Sequence, residues 1–321
     1  MTSAGAVGLV GAGNLGRRHL AGLLESELVE VVHICDISKA SLMASEEVVH
    51  LASRGISRRA NTEVYLHSSI SALPEGLDLV VVATSSDVRP GVVEEISAHA
   101  DVCNYVLEKV LAQDRSGLGR LVMATMESNA WVNIPRRMMP WHQGLRSRIH
   151  GNGQIVMEVA GGAWGLACNG VHFIDLLSWW SGETPETIDT SELEPEWRAA
   201  KRDGFMEVYG SVVVNFSGGS RLLLSSGPGT EAITINLGVA GMSWHIDEKA
   251  GVANRSDGLS HPGKLDNQTS MTPRLADSIL DSGKCLLPTL GDSIRGHEVL
   301  LEGLMEHWVQ SGGSRSGVPI T

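Results

Sequence analysis

A glycine turn close to the start constrains this chain more than any other feature. Ala6-Val7-Gly8-Leu9-Val10 reads as a buried strand and runs directly into Gly11-Ala12-Gly13-Asn14-Leu15-Gly16. A helical run to Leu24 follows, then a second strand, Val29-Glu30-Val31-Val32-His33-Ile34-Cys35, which ends at Asp36. A bare GxGxxG carries little weight in a chain with 37 glycines among 321 residues, where chance supplies roughly half of one. Its place between a strand and a helix, with an acid after the next strand, is what makes it informative.

Each position in that order has a physical reason. Gly11 permits the tight turn out of the strand, Gly13 lets backbone approach a pyrophosphate, and Gly16 allows close packing of helix and sheet. The helix start then directs free N–H groups and the positive end of its dipole at phosphate oxygens. Asn14 and Leu15 complete the turn. Asp36 lies 20 residues beyond Gly16, the distance at which a carboxylate reaches a ribose 2′-hydroxyl. A dinucleotide is therefore the expected ligand. Asp36 favours NAD, because a carboxylate repels the 2′-phosphate of NADP. Ser38 and Lys39 follow closely and keep NADP open.

Composition excludes other partners. The net charge of −12 and the absence of a Lys/Arg run argue against a nucleic-acid footprint. No stretch approaches 18 uninterrupted apolar residues, so no membrane span is expected. Met1-Thr2-Ser3-Ala4 lacks the basic and apolar segments of a secretion signal. Cys35, Cys103, Cys168 and Cys285 are widely spaced, without a CxxC pair, and read as free thiols in a reducing cytoplasm.

The first part of the chain alternates strand and helix. Residues 38–54, 90–99 and 114–126 read as helices; Leu77–Thr84 and Asn104–Glu108 read as strands. Such alternation implies a parallel sheet covered on both faces. After a boundary near residue 127 the pattern changes. Residues 154–159, 208–214, 221–226, 233–239 and 242–246 are β-rich runs separated by glycine turns, as in an antiparallel meander. Helices are expected at 168–181 and 291–310, and a long loop at 252–272.

Three places can carry chemistry. Glu108-Lys109 ends a predicted parallel strand, where ligands of open α/β sheets bind; a lysine there stabilises charge on a substrate oxygen. The alternative is a solvated surface lysine. On the second predicted helix His172, Asp175, Leu176 and Trp179 share one face. The imidazole suits proton transfer near neutral pH, while a core histidine oriented by Asp175 is the competing interpretation. Trp131-Val132-Asn133-Ile134-Pro135-Arg136-Arg137 places two arginines where they could grip a phosphate or carboxylate, or simply face solvent. HExxH, GxSxG and GxxxxGK[ST] are absent, and no histidine pair has metal spacing.

Together these pieces resemble the glucose–fructose oxidoreductase/inositol dehydrogenase (Gfo/Idh/MocA-type) family. The resemblance rests on the glycine motif with His19, on Val80–Thr84, Glu108-Lys109 and Gly170-Val171-His172-Phe173-Ile174-Asp175-Leu176, and on Arg137 with Pro140. Leu287-Pro288-Thr289 and the helix after it extend the likeness toward the C-terminus. It implies an α/β protein: a Rossmann domain, residues 1–127, then an α+β domain, residues 128–321, with a large, mainly antiparallel open sheet that mediates homodimers or homotetramers. It also implies hydride transfer between a nicotinamide cofactor and a hydroxyl-bearing carbon of a sugar, cyclitol or nucleotide sugar. By position, Gly11, Gly13, Asn14, Leu15, Gly16, Asp36, Thr84 and Glu108 would meet the cofactor. Lys109 would orient the hydroxyl, His172 would take its proton, and Asp175 would orient His172 or bind substrate. Arg137 and Asn169 would contact substrate. The chain departs from the family at Val110, where proline is usual, at Cys168, where aspartate is common, and at Arg89, where a histidine is common. The stretches around Trp131–Arg137 and Asn169–Asp175, with the terminal Val318-Pro319-Ile320-Thr321, look like a subgroup found with acidic-sugar biosynthesis. Two other functions remain open on sequence grounds: a redox-neutral epimerase or lyase with tightly held NAD, and a non-catalytic cofactor-binding regulator.

Overall fold

The computed structural model describes residues 5–54, 62–151 and 153–321. The N-terminal tetrapeptide inspected for a secretion signal lies outside them. The chain opens with β1 (Gly5–Val10), α1 (Asn14–Leu23), β2 (Val29–Cys35), α2 (Lys39–Arg54), β3 (Glu63–His67), β4 (Gly76–Leu77) and β5 (Leu79–Val82). It continues through α3 (Arg89–His99), β6 (Asp101–Val102), β7 (Asn104–Leu107), α4 (Arg115–Ala124) and β8 (Asn129–Val132). Then come α5 (Pro140–Ile149), β9 (Ile155–Gly161), α6 (Leu166–Ser181), β10 (Pro185–Ala199), β11 (Met206–Phe216) and β12 (Arg221–Ser226). The last elements are β13 (Thr234–Val239), β14 (Met242–Asp247), β15 (Val252–Arg255), β16 (Ser260–Pro262), α7 (Gln268–Ser282) and α8 (Leu290–Gln310).

These elements form two compact units. The first holds the chain up to Leu111, Gly119–Asn133 and Asp266–Leu290; the second holds Ala112–Leu118, Ile134–Leu265 and Gly291–Thr321. In the first, six parallel strands run in the order β3-β2-β1-β5-β7-β8. The central strands are apolar throughout because both faces are covered: all four residues of β5 are buried. Reversal of the strand order at β1 opens a crevice at the carboxyl ends of β1 and β5, the usual ligand position in such sheets.

The second unit is built on an eight-stranded sheet, β10-β11-β12-β9-β13-β14-β15-β16, antiparallel except where β12 pairs with β9. Its strands alternate. Ile155, Met157 and Val159 of β9 are buried, while Val156 and Glu158 face solvent. Helix α6 packs on β9, β11 and β12 and covers the buried face. Gly170 allows that contact: an added Cβ would lie 3.2 Å from Leu224 Cδ1.

Four sequence expectations need correction. First, residues 252–272 are not a loop; they contain β15, β16 and the start of α7. The two strands are short and polar, so they lack the apolar alternation that reveals a strand. Second, β10 was not foreseen. It is an edge strand rich in glutamate, and such charge is how exposed edges are protected from further pairing. Third, β3, α5 and α7 were also missed; Pro273 inside α7 disguised that helix. Fourth, the first unit extends beyond residue 127. Strand β8 pairs in parallel with β7, and α7 returns to pack on α1.

Candidate active site

In the first unit, the turn from β1 into α1 is built by close approach. Gly11 adopts φ +96°, and a Cβ there would lie 2.8 Å from the Ala83–Thr84 peptide after β5. A Cβ on Gly16 would lie 1.9 Å from the Gly11 carbonyl oxygen. Gly13, by contrast, is exposed with open space before it, and it starts α1 without a side-chain cap. The first N–H groups of α1 therefore remain available to an anion, as pyrophosphate binding needs. Asn14 is exposed and Leu15 half-buried. Arg17 folds back, donating to the Ala12 carbonyl (2.9 Å) and to Asn14 Oδ1 (2.6 Å).

Asp36 stands at the end of β2 as expected. Its Oδ2 accepts the Ala12 N–H at 2.6 Å and its Oδ1 the Ser38 N–H at 2.7 Å. The carboxylate is thus fixed beside the glycine turn, where it suits a ribose hydroxyl. The geometry fits a dinucleotide at the turn, the helix start and the acid.

Two strands away, Glu108 and Lys109 follow β7. Glu108 is buried and does not face solvent. His19 Nε2 and Asn133 Nδ2 both donate to its Oε1, at 2.9 and 2.5 Å. Burial pushes the Glu108 carboxyl upward, but these hydrogen bonds, with the charges of His19 and Arg89, hold it below the ordinary glutamate range. From Asn104 to Ala112 every residue is buried except Lys109, which is half-exposed. The Lys109–Val110 peptide is cis. Just beyond it the fully buried Arg89 donates to the carbonyls of Val110, Leu111 and Thr84. Arg89 therefore ties the exits of β5 and β7 together. Sequence reasoning noted it only as a departure; nothing in its local pattern announces three main-chain acceptors.

The second unit holds the other expected residues on α6. His172 and Asn169 are half-buried, and Asn169 Nδ2 donates to the Trp164 carbonyl at 2.8 Å. Asp175 is buried. Arg137 meets it with both fork positions, Nε to Oδ2 at 3.0 Å and Nη2 to Oδ1 at 2.6 Å. Burial raises the Asp175 carboxyl, Arg137 opposes that, and Asp292 adds to the rise. Arg136 pairs in the same forked way with Glu248, at 2.8 and 2.7 Å, and lies 4.5 Å over the Phe173 ring. His142 Nε2 is 2.9 Å from the same glutamate. Burial works against the Glu248 charge, but Arg136 and His142 hold its carboxyl far below the usual range. The arginine pair thus grips carboxylates of the chain itself. Glu207 was unforeseen: it accepts the Ala167 and Cys168 N–H groups at 2.9 and 3.0 Å and caps α6. Ala167 and Cys168 lie 40 and 39 sequence positions from Glu207, too far for a local capping signal. Among the described residues, no group of three or more His, Cys, Asp or Glu is placed to hold a metal, and no helix is long and apolar enough to cross a membrane.

The turn, the uncapped helix start and the fixed acid define an NAD-binding Rossmann unit. Residues 6–132 match the family described as "Oxidoreductase family, NAD-binding Rossmann fold". The match is to the Gfo/Idh/MocA oxidoreductase model and covers the first unit's sequence up to β8. No curated relative matches the sequence. Solved structures share the fold at low identity. UDP-N-acetylglucosamine 3-dehydrogenase GnnA from Acidithiobacillus ferrooxidans is 15% identical with TM-score 0.72, covering 93% of this chain and 96% of its own. Scyllo-inositol dehydrogenase from Lactobacillus casei, with bound NAD(H) and scyllo-inositol, is 13% identical with TM-score 0.68, covering 95% and 97%. Myo-inositol 2-dehydrogenase from Lactobacillus plantarum is 16% identical with TM-score 0.67, covering 95% and 97%.

Proposed function

We propose that this oxidoreductase transfers hydride between NAD and a hydroxyl-bearing carbon of a sugar, cyclitol or nucleotide sugar. The observation that carries this reading is Lys109. It is the half-exposed side chain in an otherwise buried segment, at the carboxyl edge of the sheet that also bears the glycine turn. Bound NAD supplies the hydride acceptor. Lys109 donates a hydrogen bond to the reacting oxygen and stabilises its developing charge. His172 takes the hydroxyl proton, and Asn169 contacts substrate. Asp175, held by Arg137, orients the α6 segment that carries His172. Asp36 receives the ribose hydroxyl, and its fixed charge disfavours a 2′-phosphate. The inositol and UDP-sugar dehydrogenases among the structural neighbours support the substrate class.

The test is a screen of sugars, cyclitols and nucleotide sugars for change in nicotinamide absorbance. With a substrate in hand, Lys109→Ala and His172→Ala should each lose about 10²–10⁴-fold in kcat while still binding NADH. Full activity in both variants sinks the assignment. The open face of the eight-stranded sheet, with Val156 60% exposed, is the proposed homo-oligomer surface; light scattering of a Val156→Glu variant checks it, and an unchanged oligomeric mass rejects it.

A further inference from the structure

Helix α7 belongs by sequence to the far end of the chain, yet it lies on α1 of the first unit. The contact is close. A Cβ on Gly22 would lie 2.6 Å from Thr272 Cβ and 2.7 Å from the Thr269 carbonyl oxygen. Pro273 has no N–H to donate within the helix, so the interior of α7 lacks one backbone bond just where Gly22 packs. At its other end, Asp277 Oδ1 accepts the Ser26 hydroxyl and the N–H groups of Glu27 and Leu28.

Between these anchors α7 closes a ring of buried polar groups around Glu108. Asn133 Nδ2 donates to Glu108 Oε1 and to Gln268 Oε1, at 2.5 and 2.8 Å. Gln268 Nε2 donates to Thr272 Oγ1 at 3.1 Å. Thr272 Oγ1 lies 3.2 Å from His19 Nδ1, and His19 Nε2 returns to Glu108 at 2.9 Å. The two amides have a fixed sense, because each amide nitrogen faces only oxygen acceptors. Asn133 Oδ1 is buried without a hydrogen-bond partner, but the five side chains are joined in a closed circuit. A buried network of this kind holds its members in place, whereas a broken one leaves further desolvated groups unsatisfied. What the ring holds is the residue immediately before Lys109. Arg89 holds the carbonyls of the two residues after it.

We propose that Gln268 and Thr272 are positioning residues for Lys109, acting through His19, Asn133 and the Glu108 carboxylate. The proposal rests on the reading of Lys109 as a catalytic residue. It assigns to a late helix the task of setting the position and charge environment of the lysine at the strand end. Loss of the Thr272 hydroxyl leaves His19 Nδ1 without its ring neighbour. The Glu108 charge then shifts relative to the lysine beside it.

The test reads Lys109 without needing a substrate. The chain has six lysines, at 39, 109, 201, 249, 264 and 284, so reductive ¹³C-methylation gives few NMR signals, and Lys109→Arg assigns the one of interest. Thr272→Val keeps the side-chain shape and removes the hydroxyl; Thr272→Ser restores it. Gln268→Met serves as a second break in the ring. The expected result is a Lys109 titration displaced by about 0.5 pH unit or more, roughly a threefold change in acidity, in both Thr272→Val and Gln268→Met. Thr272→Ser should return it to the wild-type curve, and the other five lysines should titrate unchanged in all variants. Superimposable Lys109 curves in folded Thr272→Val and Gln268→Met overturn the proposal. So does an equal shift at every lysine, which marks general loosening. If instead Lys109→Ala proves fully active, the catalytic reading fails, and the titration still reports whether the ring governs the lysine.

Discussion

Asp36 and Arg89 of the first unit hold main chain, whereas Arg136 and Arg137 of the second hold carboxylates of other side chains. The difference is one of consequence. An acid bound to backbone N–H groups at a half-buried turn has water nearby to replace it. A forked arginine–carboxylate pair whose carboxylate is buried, as Asp175 and Glu248 are, has little, and removing the arginine strands the buried charge. Loss of Asp36 from the first unit should therefore change mainly binding. The second should change mainly in stability.

Gly16→Val is the severest test on the first unit, because its Cβ meets a carbonyl oxygen that cannot move without opening the turn. Loss of measurable NADH binding is expected by fluorescence titration; near-normal affinity would mean that the turn is not the cofactor site. Next comes Arg137→Leu, which leaves the buried Asp175 without its fork. A loss of about 3–5 kcal/mol is expected in urea unfolding, and a loss below about 1 kcal/mol would erase the contrast between the units. Third is acid. Glu108 and Glu248 have folded pKa values below their unfolded ones, so their stabilisation is present above the unfolded glutamate range and is lost as pH falls from there through the lower folded values. Asp175, shifted upward, acts in the opposite sense and offsets part of this. Unfolding free energy should decline below about pH 5, and Glu248→Gln should flatten that decline; an identical slope in the variant counts against the assignment. The smallest stability effect is expected for Asp36→Asn, about 1 kcal/mol, together with weaker NADH binding. If it costs as much stability as Arg137→Leu, backbone-bound and side-chain-bound groups do not differ as described.

The same contrast decides what could be read from sequence. Gly16 and Asp36 were legible because their partners, Gly11 and Ala12, lie within two dozen residues, and Gly11 because its role follows from backbone geometry. The parallel strands were legible from unbroken apolar runs such as Leu79–Val82. His172 and Asp175 were placed correctly on one helix, since a 3.6-residue period fixes such neighbours. Residues 38 and 112 positions apart, as in Arg137–Asp175 and Arg136–Glu248, leave no periodic trace. Nor does Glu207 beneath α6. Charged β10 and proline-containing α7 were lost for a related reason: edge position and tertiary packing override the local signal.

The return of α7 to α1 also bears on how this protein is made. The first unit begins at the N-terminus, but its last helix leaves the ribosome only after the entire eight-stranded sheet has been synthesised. Until then α1 carries an uncovered flank at Gly22, and Glu108 lacks two members of its ring. A nascent chain halted after β8 therefore holds a cofactor turn on an unfinished scaffold. Such long-range closure slows folding. It also means that NAD-supported stability arrives late in synthesis, after the eight-stranded sheet and before α8.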